Sequence, residues 1–163
     1  MKNRNLDHKD DWATPPDFLE NIRKEFGEFF DPCPWHHDVE EWDGLKIDWL
    51  AGCVNFINPP YSLGLKTAFV KRAVEFAYCG IESIMLLPVS TSTKLFHQII
   101  FPNAEEIRFI EGRLRFIGIN SKGQYVNYDQ IQETTKETIL YEGKEIPKFV
   151  NNSGMHDSML VIF

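Results

Sequence analysis

Three features of the sequence predict a three-layer α/β domain: two compact apolar runs that stop at turn residues, a stretch of helical spacing between them, and further short apolar runs toward the C-terminus. In chain order, Thr14-Pro15-Pro16-Asp17 reads as a helix start, with Thr14 as N-cap, Pro15 at the first helical position and Asp17 beside the positive helix end. Phe18, Leu19, Ile22 and Phe26 then share one face, and Gly27 closes the helix. Phe29-Phe30 leads into a short strand that stops at Asp31-Pro32, because proline has no N–H to donate to a ladder. Residues 53–57 form an apolar run ended by Asn58-Pro59-Pro60, as expected of a buried parallel strand, and residues 83–87 form a second. Between them Leu65, Phe69, Ala73 and Phe76 recur at helical spacing, so the unit is strand, helix, strand, parallel and right-handed. Residues 94–100 read as a further helix. Residues 107–110, 114–119 and 159–163 read as closing strands, with a polar excursion over residues 120–152 between the last two.

The 163 residues, 43% of them hydrophobic, suffice for one core, so one domain over residues 1–163 is expected, with a polar insertion at about 120–152 that, through Lys122, Tyr125, Tyr128, Lys136 and Lys144, is either a hairpin touching DNA or a solvated surface insertion. No apolar run reaches membrane-spanning length and residues 1–11 are polar, which predicts a soluble chain with no membrane segment. Three cysteines, Cys33, Cys53 and Cys79, are an odd count without regular spacing and fit reduced thiols in a cytoplasm. A net charge of −7 argues against a generally basic nucleic-acid-binding domain. Two local basic clusters, Lys66, Lys71 and Arg72 in one segment and Arg108, Arg113 and Arg115 in another, form either a DNA-facing patch or ordinary solvated surface.

Ligands of open α/β sheets collect at the carboxyl ends of parallel strands, where Asn58-Pro59-Pro60-Tyr61 is expected to sit. Those residues suit a weakly nucleophilic amine whose lone pair is delocalised into a ring. Two acceptors aimed at its hydrogens favour pyramidalisation, and Asn58 offers a side-chain oxygen while Pro59 offers a backbone carbonyl. The prolines fix those acceptors in advance, and Tyr61 supplies a face on which an extruded base can stack. The alternative for the tetrapeptide is a rigid turn leaving a strand. Cys33, His36 and His37 have zinc-corner residue types but lack a second ligand pair, so no metal is expected. Ser90-Thr91-Ser92-Thr93 lacks the glycines and lysine of a phosphate loop and reads as a helix cap, while Trp35, Trp42 and Trp49 read as core or as a stacking platform.

The tetrapeptide resembles the catalytic motif of S-adenosylmethionine-dependent amino-methyltransferases. Trp12-Ala13-Thr14-Pro15, Phe30-Asp31-Pro32-Cys33, Leu86-Leu87-Pro88 and Gly112-Arg113-Leu114-Arg115-Phe116 resemble, in order, landmarks of the small phage-type (Dam-like) DNA adenine-N6 methyltransferases. That resemblance implies a Rossmann-like methyltransferase fold whose mostly parallel central sheet is trimmed and carries an antiparallel closing strand. It implies methyl transfer from S-adenosyl-L-methionine to the N6 amino group of a flipped adenine in double-stranded DNA. Trp12, Thr14 and Pro15 would line the methionine side of the cofactor, and Asp31, Pro32 and Cys33 its carboxylate and amino end. Asp48 and Trp49 would meet its adenine, and Asp43 or Glu41 its ribose. Lys66, Arg113 and Arg115 would contact DNA, the protein acting as monomer or homodimer in the cytoplasm of a bacterium or phage-infected host. Two departures stand out: no Gly-x-Gly follows the first strand, and the interval from Asp31 to Asp48 leaves little room for the usual helix and second strand. The competing readings are cytosine-N4 methylation, protein glutamine methylation, methylation of adenine in RNA, and a cofactor-free module binding DNA or protein.

Overall fold

A five-stranded sheet forms where the apolar runs meet turn residues, in a computed structural model that describes residues 12–35, 40–119, 125–126, 134–141, 144–149 and 156–163. Helix α1 (Pro16–Phe26) leads to β1 (Phe29–Phe30), and β2 (Val54–Ile57) is followed by α2 (Leu63–Tyr78) and β3 (Ser83–Pro88). A helical stretch follows, π-helical over Phe96–Ile100 and continuing as α3 (Phe101–Asn103), and then β4 (Glu106–Phe109). The remaining strands are β5 (Gly118–Ile119), β6 (Tyr125–Val126), β7 (Thr134–Tyr141), β8 (Lys144–Phe149) and β9 (Ser158–Ile162).

Helix α1 begins one residue later than expected. Pro15 precedes another proline, whose ring drives it out of the helical region to ψ 136, so it flanks the helix and Pro16 starts it. Gly27 ends the helix at φ 83, its N–H bonded to the Arg23 carbonyl at 2.9 Å. Thr93 caps the later helical stretch as expected, accepting from the Phe96 N–H at 3.2 Å and donating to the Ser90 carbonyl at 2.8 Å.

The strand order is β1-β2-β3-β9-β4. β1, β2 and β3 are parallel, and β9 is antiparallel to both its neighbours, so β4 runs in the direction of β3 and β9 is the reversed strand. The C-terminal run is thus inserted between two strands rather than placed at an edge. Its five residues are all buried, so its backbone N–H and C=O groups need partners along both edges, which β3 and β4 supply. The expected closing strand at 114–119 is corrected: the chain turns at Gly112 (φ 76), Ile117 forms an isolated bridge with Ala13, and Gly118–Ile119 pairs with Tyr125–Val126 in a separate two-stranded sheet. Phe116 and Ile117 fill core space instead. The sheet is trimmed on its first side, since the two-residue β1 lies directly beside β2 and no strand forms over residues 40–53.

Alternation along the strands makes two cores. Ile57, Met85, Leu87, Met159 and Val161 face α2 and the π-helical stretch, whereas Phe56, Ile84, Leu86, Leu160 and Ile162 face α1 and Phe116. Within the insertion, β7 and β8 form an antiparallel hairpin; Lys122 and Tyr128, singled out in the sequence, lie outside the described residues. Among the described residues no helix is long and apolar enough to cross a membrane.

One polar residue in β2 is a hub that strand periodicity does not reveal. Asn55 is fully buried; its amide donates to the carbonyls of Leu50 (2.9 Å) and Glu82 (3.0 Å) and its oxygen accepts from the Leu50 N–H (2.9 Å). It ties the loop before β2 to the strand itself. Asn55→Leu strands those groups in the interior and is expected to lower unfolding free energy by about 2–4 kcal/mol, read as a shift in the urea midpoint. An unchanged midpoint would show that water replaces the amide.

Candidate active site

β2 ends at Ile57, and residues 58–61 leave the sheet at the carboxyl edge of the parallel strands. The Asn58 side-chain Nδ2 donates to the Trp12 carbonyl at 2.8 Å. Among the described residues the Asn58 Oδ1 accepts no hydrogen bond, and the residue is half-buried, so the oxygen remains available to a ligand. Trp12 is itself held in place: Ala13 exchanges two backbone hydrogen bonds with Ile117, at 2.7 and 3.1 Å. Thr14 is 3% exposed and Pro15 is buried. The segment 12–15 and the proline turn, separated by more than forty positions, are therefore neighbours.

The far end of the turn is fixed by a missing donor. The Asn55 N–H donates to the Glu82 carbonyl at 3.1 Å, and donors on a parallel strand recur every second residue. The position due to serve the Leu86 carbonyl is thus Pro59, which has no N–H. The Tyr61 hydroxyl takes over, donating to Leu86 at 3.2 Å, and its ring meets Phe116 edge-on at 5.9 Å. The role of Tyr61 is consequently broader than the stacking face anticipated from its side-chain type: its hydroxyl closes the sheet edge that the proline opened. Pro59 is buried and Pro60 half-buried, as a turn seated on the sheet requires.

After β1 the chain forms a tight turn, with the Cys33 N–H donating to the Asp31 carboxylate at 2.8 Å. The Trp42 indole N–H donates to the Pro32 carbonyl at 2.9 Å, and Gly44 packs so closely there that a Cβ would be driven into the same oxygen. A side-chain carboxylate and a flanking tryptophan thus build the turn after β1, where no Gly-x-Gly stands. Gly44→Ala is expected to destabilise the protein by about 1–3 kcal/mol through displacement of residues 31–33, checked by thermal unfolding. A variant as stable as the parent would mean the loop gives way easily.

Other anticipated residues divide. Trp49 is 2% exposed, donates its indole N–H to the Gly44 carbonyl at 2.9 Å and stacks on Phe76 at 5.1 Å, so the structure places it in the core beneath the edge, while Asp48 is exposed. Asp43 accepts from the Leu45 N–H at 3.0 Å and pairs with Lys46 at 3.0 Å, and Glu41 is exposed. Lys66, in the first turn of α2, is half-buried beside Leu87, Pro88 and Ser90, and its partial withdrawal from water lowers its pKa. Arg113 pairs with Asp157 at 3.1 Å, and Arg115 is exposed.

The first basic cluster loses Arg72, and the second, where Arg113 is already paired with Asp157, loses Arg108. Arg72 turns inward, donating to the Ile47 carbonyl at 2.6 Å and lying 4.8 Å from the Phe76 ring. Arg108 joins Glu106 at 2.6 Å and Glu25, locking α1 to the edge strand. His36 and His37 lie outside the described residues, and among the described residues no three His, Cys, Asp or Glu side chains come together.

The supporting contacts missed in the sequence are the Trp42 indole bond, the close packing of Gly44 and the Leu86 carbonyl. The first two sit in an irregular stretch without periodicity. The third had a signal: a proline one step past a strand leaves an acceptor on the neighbouring strand without its donor.

A family model described as DNA N-6-adenine-methyltransferase (Dam) matches residues 2–141. No curated protein and no solved structure matches the chain.

Proposed function

The chain belongs to the DNA N-6-adenine-methyltransferase (Dam) family, and on that premise we propose that it transfers a methyl group from S-adenosyl-L-methionine to the N6 amino group of an adenine flipped out of double-stranded DNA into reach of residues 58–61. The observation that carries this reading is the Asn58 amide, held through its nitrogen by Trp12 with its oxygen left to accept. An adenine amine donates two N–H groups, and the Asn58 Oδ1 and the Pro59 carbonyl are the two acceptors proposed for them. As the nitrogen gains its methyl group it turns positive, so both acceptors interact more strongly with the transition state than with the bound base. The Tyr61 ring is the proposed stacking surface, a contact worth about 1–3 kcal/mol.

The chain's own arrangement fits the cofactor. Residues 12–15 adjoin the proline turn, and residues 31–33 end the neighbouring strand, so both segments reach the same sheet edge. When bound, S-adenosyl-L-methionine supplies an electrophilic sulfonium methyl group. Trp12, Thr14 and Pro15 are assigned to its methionine side, Asp31, Pro32 and Cys33 to its amino and carboxylate end, and Asp48 to its adenine. Trp49, being core, acts beneath the site as support. Lys66, Arg113 and Arg115 are the proposed DNA contacts. The same reading makes residues 1–163 a single Rossmann-like methyltransferase domain, acting in the cytoplasm of a bacterial or phage-infected cell as monomer or homodimer.

Incubation with tritiated S-adenosyl-L-methionine and unmethylated duplex DNA, followed by nucleoside analysis, tests this directly. Label is expected in N6-methyldeoxyadenosine. Label in N4-methylcytosine, label in protein, or no transfer at all would refute it.

A further inference from the structure

We propose that the Trp12 main-chain carbonyl is the positioning group for the Asn58 amide, and that it makes this chain require asparagine rather than the near-isosteric aspartate at the first position of its proline turn; the inference rests on the methyltransfer reading above. A carbonyl oxygen can only accept, so whatever stands at position 58 must donate to keep the 2.8 Å contact. The reversed amide would set two acceptors against each other, which assigns Nδ2 to Trp12 and Oδ1 to the open side. The carbonyl cannot easily retreat, because the next residue, Ala13, is bonded in both directions to Ile117. Nor can position 58 move far, since it stands between β2 and the buried Pro59.

An ionised aspartate has the right shape and both oxygens but no proton to give Trp12. It must swing away, spoiling the placement of the acceptor oxygen, or take up a proton. The neutral acid restores the pattern: its O–H donates to Trp12 while its C=O faces the amine. Protonation of that variant is therefore favoured by the fold, and its carboxyl pKa is expected to lie above the unfolded value. The sign follows. A raised folded-state pKa gives relative stability that is complete at low pH and is lost as pH rises through the folded pKa.

The experiment compares wild type, Asn58→Asp and Asn58→Ala between pH 5.5 and 8, reading kcat for duplex DNA and thermal midpoint. At pH 8, Asn58→Asp is expected to turn over roughly 100-fold more slowly than wild type. Its rate relative to wild type should rise about tenfold or more on acidification, the response of one titrating unit, while the relative rate of Asn58→Ala stays flat. The thermal-midpoint deficit of Asn58→Asp should narrow over the same range, and that of Asn58→Ala should not. Asn58→Asp matching wild type at pH 8, or a pH-independent ratio and deficit, would overturn the proposal. Should wild type itself transfer no methyl group, the functional reading fails, and the thermal deficit still decides the contact: a flat deficit refutes it and a narrowing one supports it.

Discussion

Asn58→Ala is expected to lower turnover on DNA by about 10²–10³-fold while leaving the dissociation constant for S-adenosyl-L-methionine within about threefold. The truncation removes one of the two acceptors proposed for the amine, an interaction that grows as charge develops on the reacting nitrogen. It also releases the Trp12 carbonyl, whose position is still kept by the Ala13–Ile117 bonds, so the segment assigned to the cofactor should survive. Single-turnover kinetics for the rate and calorimetric titration for the cofactor separate the two effects. Comparable losses in both would mean that Asn58 serves the cofactor or merely holds the fold, and its assignment as an acceptor for the amine would have to be withdrawn.

Tyr61 gives the second large effect, divided between its ring and its hydroxyl. Tyr61→Ala deletes the stacking surface, an expected loss of about 1–3 kcal/mol in capture of the extruded base, together with the bond to Leu86. Tyr61→Phe keeps the face but leaves the carbonyl of a fully buried strand residue without its donor, which costs about 1–3 kcal/mol in the order of the turn. The phenylalanine variant should therefore retain near-normal affinity for DNA yet lose about tenfold in kcat, with alanine worse in both. A phenylalanine variant indistinguishable from wild type would show that the hydroxyl is dispensable. One as defective as alanine would remove stacking as the explanation.

Much of the frame was legible in the chain. The runs at 53–57 and 83–87, separated by a helix-spaced stretch, became β2, α2 and β3, because burial on both faces demands continuous apolar strands and a long connection carrying a helix is what a parallel crossover requires. The proline turn fell at the strand end for the reason read from its residues: proline cannot continue a ladder. Other local expectations bent to context. Residues 114–119 have strand-like composition, yet Leu114, Phe116 and Ile117 pack into the core beside α1 and only Gly118–Ile119 pairs as a strand, in a separate sheet, while Trp49 was claimed by Phe76 and Gly44. Arg72 and Arg108, indistinguishable in sequence from solvated cations, found carbonyl and carboxylate partners on elements distant in the chain.

What the sequence by itself determined was the α/β frame, the rigid turn at a strand end and the chemical types offered there, since these follow from periodicity and from the bonding capacity of single residues. Only the tertiary structure decided which end of the Asn58 amide is occupied, which hydroxyl replaces the N–H that Pro59 lacks, and where the C-terminal strand inserts. Each of those is a pairing between groups 25 or more positions apart in the chain. A pairing of that kind depends on where the backbone arrives in space, and local preference carries no record of the partner.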